Sequence, residues 1–170
     1  MFEALPAGWR LAGSTSAVEA GGAWTVDYEL EIDAHWCTRR ARITSRTQAG
    51  ARTVVLAGDG AGHWTVDGVA APALAGCLDV DLEASAMTNT LPVHRLRLAI
   101  GATALAPAAY VRATDARVER LAQTYRRLAD DRYDYESPAF DFRCELRYDA
   151  HGLVVDYPGI ATRVQVESDA

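Results

Sequence analysis

Apolar and polar residues alternate with period two along much of the chain. Between residues 24 and 33, Trp24, Val26, Tyr28, Leu30 and Ile32 alternate with Thr25, Asp27, Glu29, Glu31 and Asp33. A half-buried strand places such a set on one face, and a helix does not. If Ala34 and His35 form a two-residue turn, the chain returns from Trp36 to residue 46. Glu29 then lies opposite Arg40, Asp27 opposite Arg42, Val26 opposite Ile43 and Tyr28 opposite Ala41. A slip of one residue would set Asp27 against Ile43, so the pattern specifies its own pairing. This pairing leaves Arg39 opposite Leu30 on the apolar face, where a guanidinium needs a carboxylate or a ligand oxygen.

Further along, Val54 and Leu56 face Val66 and Trp64 around Gly58-Asp59-Gly60-Ala61-Gly62, whose glycines supply the positive φ of a hairpin loop. Residues 140–148 alternate in the same way, turn at Asp149-Ala150-His151-Gly152 and return over 153–157. Residues 93–100 and 108–113 read as strands. The spacing of Val118, Leu121, Tyr125 and Leu128 predicts a helix over 118–128, although Gln123, Tyr125 and Arg127 also alternate as a strand would. Residues 85–92 form a loop or a single helical turn before Pro92. An internal echo joins ELEIDAHW (29–36) to ELRYDAHG (145–152), through related halves or through the same hairpin chemistry used twice. The fold class is mainly β: an antiparallel sheet, barrel or half-barrel with few short helices.

At 170 residues and 49% hydrophobic content, the chain is expected to form a single domain, 1–170, burying about 70% of its unfolded surface. A net charge of −6 and a pI near 5.2 oppose binding to nucleic acid or to an anionic membrane surface. Every basic residue is arginine, and with alanine and glycine abundant this fits a GC-rich bacterial genome. The start, MFEALPAGWRLAG, lacks the basic and apolar regions of a secretory signal, and no apolar run is long enough to span a membrane. A cytoplasmic location is the expectation. Cys37, Cys77 and Cys144 read as buried free thiols. No HExxH, CxxC, GxSxG, P-loop or GxGxxG is present, so neither metal nor cofactor is expected.

The stretch GCLDVDLEASAMTNTLPVHRL, residues 76–96, concentrates the polar chemistry. Asp79, Asp81 and Glu83 fit an acid and base pair, as in glycoside hydrolysis, or the rungs of a charged ladder. If 78–83 pairs antiparallel with 95–100, Glu83 meets Arg95 and Asp81 meets Arg97. Asp79 then lies opposite Ala99 without a partner. Trp24, Tyr28 and Trp36 belong either to the core or to the wall of a cavity.

The motifs around Trp24–Ile43, DGAGHWTVDG (59–68), residues 76–96, and YDYESPAFDF with GLVVDYPGI resemble those of a bacterial family described as putative glycolipid-binding. The resemblance runs from about Gly8 to Val164. It implies a curved antiparallel sheet around an apolar cavity, closed by small helical pieces, and a non-enzymatic carrier or binder of an amphiphilic small molecule, a glycolipid by the family's description. Under that reading Arg39, Asp79 and Asn89 approach a head group, and Trp24, Tyr28 and Trp36 approach the tail. The alternatives are a hydrolase acting on a sugar or ester through Asp79, Asp81 or Glu83, and a structural module pairing through a sheet edge.

Overall fold

The computed structural model describes residues 1–19 and 21–164; residue 20 and residues 165–170, the end of the expected 1–170 domain, lie outside the described residues. Seven strands follow one another in a meander: β1 (Phe2–Leu5), β2 (Gly8–Glu19), β3 (Gly22–Asp33), β4 (Thr38–Thr47), β5 (Gly50–Gly58), β6 (Trp64–Val66) and β7 (Val69–Ala70). The next elements are β8 (Asp79–Leu82), helix α1 (Thr90–Leu96), β9 (Thr103–Leu105), β10 (Ala108–Val111), β11 (Val118–Leu121) and β12 (Thr124–Ala129). They are followed by β13 (Arg132–Ser137), β14 (Phe142–Tyr148), β15 (Val154–Tyr157) and β16 (Ala161–Thr162). A small second sheet has the order β11-β10-β8, and a third has the order β16-β15-β14-β13-β12-β9. The fold is mainly antiparallel β, as expected, and β8–β10 is the one parallel ladder among the described residues.

Alternation explains the two cores. Trp24, Val26, Leu30, Ile32, Ile43 and Leu56 bury one face of the first sheet against Val80, Leu82 and Leu91. Tyr125, Tyr133, Tyr135, Leu146, Tyr148 and Tyr157 form a largely aromatic core on the third. Strand β8 lies between them and is buried at all four positions. Its Val80 and Leu82 join the first core, while Asp79 and Asp81 project from its other face toward groups carried by α1 and the third sheet. Burial on both faces suits a parallel pairing, and it removes the outward-facing acidic ladder that the sequence pattern permits.

The hairpins occur where the alternation places them, but both pairings in the first sheet are displaced by two residues. Tyr28 faces Ile43 where Ala41 was expected, and Leu56 faces Val66 where Trp64 was expected. An even displacement keeps every side chain on its face. Its cause is a loop chemistry used three times. Asp33, Asp59 and Asp149 each accept, through Oδ1, the amide N–H groups two and four residues ahead. Each also donates its own N–H to the carbonyl four residues ahead. The third loop residue has positive φ in every case: Trp36 (65°), Gly62 (93°) and Gly152 (70°). Three-residue loops that end in a left-handed position are a standard hairpin closure, and they account for the echo between 29–36 and 145–152. Two of the three loops are followed by a bulge, at Arg39 and at Val155.

Arg39 is therefore the extra residue of a bulge and not an inward-facing one. Its side chain is 45% exposed, donating to the Gly58 carbonyl (3.1 Å) and to Asp33 (3.4 Å). Trp36 takes a backbone conformation that costs a non-glycine residue strain, and its ring stacks on His94 (3.7 Å between centroids) and packs against Trp9 (4.5 Å). The stack ties the first hairpin to α1.

Two further expectations give way. Residues 93–100 form no strand: 90–96 is the helix, with Pro92 in its first turn, where a missing N–H costs nothing. The helix ends at Arg97 in the left-handed region, and the ladder of Glu83 with Arg95 and Asp81 with Arg97 does not exist. Residues 118–128 are strand and not helix. The apparent helical spacing spans β11 and β12, which belong to different sheets, and the chain crosses between them at Ala122–Gln123.

Candidate functional site

Residues 77–98 thread between the three sheets, and two cavities open beside the stretch 81–90. The larger is an open groove of about 770 Å³ between β2–β3, residues 83–90 and the β15–β16 hairpin, with Leu11, Trp24, Met87, Val155 and Ile160 among its apolar lining. Tyr28 sets part of its floor. This residue pairs with Gly13, and its ring lies where any side chain at Gly13 would stand. Its hydroxyl meets Ser85 Oγ at 3.0 Å.

The smaller pocket, about 340 Å³, lies between the segment from Asp81 to Asn89, Tyr110 and Arg112, and the turn from Ser137 to Phe142. Asp81 accepts from Thr88 Oγ1 (2.7 Å) and Gln123 Nε2 (2.5 Å), and Gln123 also donates to the Tyr135 hydroxyl (3.0 Å). Glu83 accepts from the Ala113 amide (2.7 Å) and from Arg112 (3.1 Å), whose Nε donates to Glu119 (2.8 Å). Glu83, Ser85, Ala86 and Ile160 border both cavities, so the groove and the pocket adjoin.

The sequence candidates divide. Trp24 and Tyr28 line the groove, and Asn89 lines the pocket, although its Oδ1 accepts from the Tyr125 hydroxyl (2.7 Å). Asp79, Trp36 and Arg39 line neither cavity. Asp79 is not the unpartnered acid that the ladder implies, because Arg95 holds it through two hydrogen bonds, Nε–Oδ1 at 3.0 Å and Nη2–Oδ2 at 2.5 Å. Of the three acidic residues, Asp81 and Glu83 reach the pocket. Sequence reasoning missed Tyr110, Arg112, Gln123, Ser137 and Phe140, which converge from three separate chain segments. Gln123 alone gave a local sign, through its place in the alternation with Tyr125.

Burial sets the electrostatics. It pushes the Asp81 carboxyl above the ordinary carboxylate range, opposed by the hydrogen bonds from Thr88 and Gln123. Asp79 is raised for the same reason, with Arg95 pulling the other way. Burial also raises the thiols of Cys37, Cys77 and Cys144, the last to about 11, so all three are protonated thiols at neutral pH. All three are free; Cys37 and Cys77 are buried and Cys144 half-buried. Among the described residues no His, Cys, Asp or Glu cluster suits a metal ion, and no helix is long and apolar enough to cross a membrane.

A carboxyl whose folded pKa is raised contributes stability that is complete below the unfolded value, near pH ~4, and is lost as pH rises through the folded value. Asp81→Asn removes that loss. An asparagine here can accept from Gln123 and donate to Thr88, whose hydroxyl can turn to the Ser85 carbonyl already 3.0 Å away. Urea titrations between pH ~4 and ~8 are expected to show a shallower decline for Asp81→Asn than for wild type, with Asp79 supplying the remaining slope. Parallel curves would exclude Asp81 as the source.

The family described as "Putative glycolipid-binding" matches residues 1–163. A solved structure of a DUF1089 family protein from Pseudomonas aeruginosa is similar, with a TM-score of 0.86 and 36% sequence identity, covering 96% of this chain and 90% of that one. Comparison with curated proteins finds no match.

Proposed function

The chain belongs to the putative glycolipid-binding family, and from that premise we propose that it binds an amphiphile without transforming it, the apolar tail in the groove and the polar end at the adjoining pocket. The observation that carries this reading is a long groove with a mainly apolar lining that adjoins a pocket holding Asp81, Glu83 and Arg112, the two sharing Glu83, Ser85, Ala86 and Ile160 as wall. Asn89, Trp24 and Tyr28 keep the roles that the sequence suggests. Asp79 and Trp36 support the site from behind by fixing α1, and Arg39 secures a hairpin beside it.

The test is native mass spectrometry of the protein purified from its own host, with a groove-blocking variant beside it. Ala17 lines the groove opposite Trp24. The wild type is expected to carry lipid, and folded Ala17→Trp to carry little or none. Equal lipid on both would move the tail elsewhere.

A second reading rests on Asp81 and Glu83 sharing one pocket, a placement that also suits hydrolysis of a sugar or ester. Turnover of nitrophenyl glycosides or esters that disappears in a folded Glu83→Gln variant would replace the carrier reading with this one.

A further inference from the structure

Exposed apolar side chains gather where the groove and the pocket open. Among the described residues nine large apolar side chains are exposed, and four of them, Met1, Phe2, Phe140 and Ile160, line one cavity or the other. Met1 and Phe2 stand on the side of the first sheet, while Ile160 and Phe140 lie in turns of the third, so the mouth has apolar groups on both banks. They are held in place. Phe2 packs on Trp36 (5.9 Å between centroids) and Phe140 on Tyr110 (5.5 Å). Ile160 follows Pro158 and Gly159 (φ 77°), which fit the central positions of a type II turn, and its N–H closes that turn on the Tyr157 carbonyl at 2.9 Å. Apolar groups clustered in this way on a surface mark a site of contact with a protein or a membrane.

Charge narrows the partner. The charged side chains that line the two cavities are Glu19, Asp81, Glu83, Arg112 and Arg163, and each is engaged within the protein. Glu19 accepts from Trp24 Nε1 (3.2 Å), Arg163 pairs with Asp149 (2.7 Å), and Arg112 lies between Glu83 and Glu119. Asp81 is held by Thr88 and Gln123. None of the guanidinium groups is left to seek a lipid phosphate, and the net charge of −6 adds repulsion from an anionic surface. A protein interface sets an apolar centre inside a polar rim. Here the rim is apolar and the polar groups lie inside, an order that suits the interfacial layer of an uncharged bilayer.

We propose that the mouth of the groove docks on a neutral, zwitterionic lipid surface, with Phe2, Phe140 and Ile160 entering its interfacial layer. The groove then faces the bilayer, and an amphiphile passes between the two without its tail crossing water. The docking adds a partner surface to the amphiphile reading above and rests on that reading for its cargo. Ile160 is the cleanest probe, because it stands at a turn and borders both cavities.

The experiment is flotation with unilamellar phosphatidylcholine vesicles, beside calorimetric titration of the same proteins with a graded series of alkyl glucosides below their micellar concentrations. The wild type is expected to float with the vesicles. Folded Ile160→Asp and Phe2→Asp proteins should each partition about tenfold less or weaker still. Ile100→Asp and Leu105→Asp should leave partition unchanged, since those residues are as exposed (62% and 76%, against 56% for Ile160) but line neither cavity. Replacing about a third of the phosphatidylcholine by phosphatidylglycerol should reduce partition, most strongly at low salt. Partition unchanged in Ile160→Asp and Phe2→Asp, or strengthened by phosphatidylglycerol, would overturn the docking. No partition at all, with glucoside affinity still rising with tail length, would also overturn it and leave the groove reading intact. A dimer in sedimentation that Ile160→Asp dissociates would then assign the rim to a second copy of the chain. Partition through the rim, with affinity indifferent to tail length, would support the docking and overturn the groove reading.

Discussion

Asp79→Ala is expected to lower folding stability by about 3–5 kcal/mol, the loss associated with breaking one side of a buried ion pair. The carboxylate is 3% exposed and the guanidinium 13%, so the alanine variant leaves Arg95 charged, nearly enclosed and without its anion. The pair also joins the central strand β8 to the last turn of α1, and α1 carries Leu91 into the first core. Loss of the bond is therefore felt by packing as well as by charge. Replacing both partners, as Asp79→Ala with Arg95→Met, should recover much of the loss, because no buried charge is then stranded. Urea unfolding of the four proteins of this cycle measures the coupling. A loss below about 1 kcal/mol in Asp79→Ala would mean that Arg95 finds water easily and that the pair is peripheral to the fold.

The second large effect concerns binding. Lengthening the tail of an alkyl glucoside by four methylenes should strengthen binding by up to ~3 kcal/mol, roughly two decades in Kd, at ~0.8 kcal/mol per methylene taken fully out of water. The groove is open, so carbons near its mouth stay partly hydrated and add less than those against Trp24 and Leu11. Titration calorimetry over a graded series resolves the slope. A flat series removes the groove from the account and favours association through a sheet edge.

Much of this fold was legible in the sequence because alternation acts locally. The segments 24–33 and 140–148 are strands for the reason their patterns give, and their buried faces are the apolar ones. The β3–β4 displacement came from treating Ala34–His35 as a minimal turn, and the β5–β6 one from treating all of 58–62 as loop. Asp33, Asp59 and Asp149 close three-residue loops with their own side chains, and the repeated Asp-Ala-His at 33–35 and 149–151 is the visible trace of that chemistry. Residues 93–100, expected as a strand, and 118–128, where helical spacing competed with a strand alternation, depart from expectation in opposite directions for one reason. Val93, Arg95 and Arg97 alternate over too few residues to exclude a helix. Val118, Leu121, Tyr125 and Leu128 show helical spacing only because two short strands are joined at Gln123.

The candidate site was legible in part. Trp24 and Tyr28 announced a wall through their own strand. Asp79 was singled out as an anomaly, but its explanation lies in Arg95, which the strand reading of 95–100 had given to Glu83. The parallel pairing of β8 with β10 brings Tyr110 opposite Asp81, a contact between distant segments that no local pattern signals. Ser137 and Phe140 arrive from farther still, and nothing in their neighbourhood marks them as pocket residues.

The openness of the groove also bears on time. A tail in an enclosed barrel leaves only when a lid opens, so its residence reflects the motion of the protein. A tail lying in a groove open to solvent can peel away carbon by carbon, and its residence reflects its own length. Affinity differences among amphiphiles should then reside in dissociation rates, with association nearly constant across the series. On the proposed reading, a groove of this kind favours quick release of a bound tail over its storage.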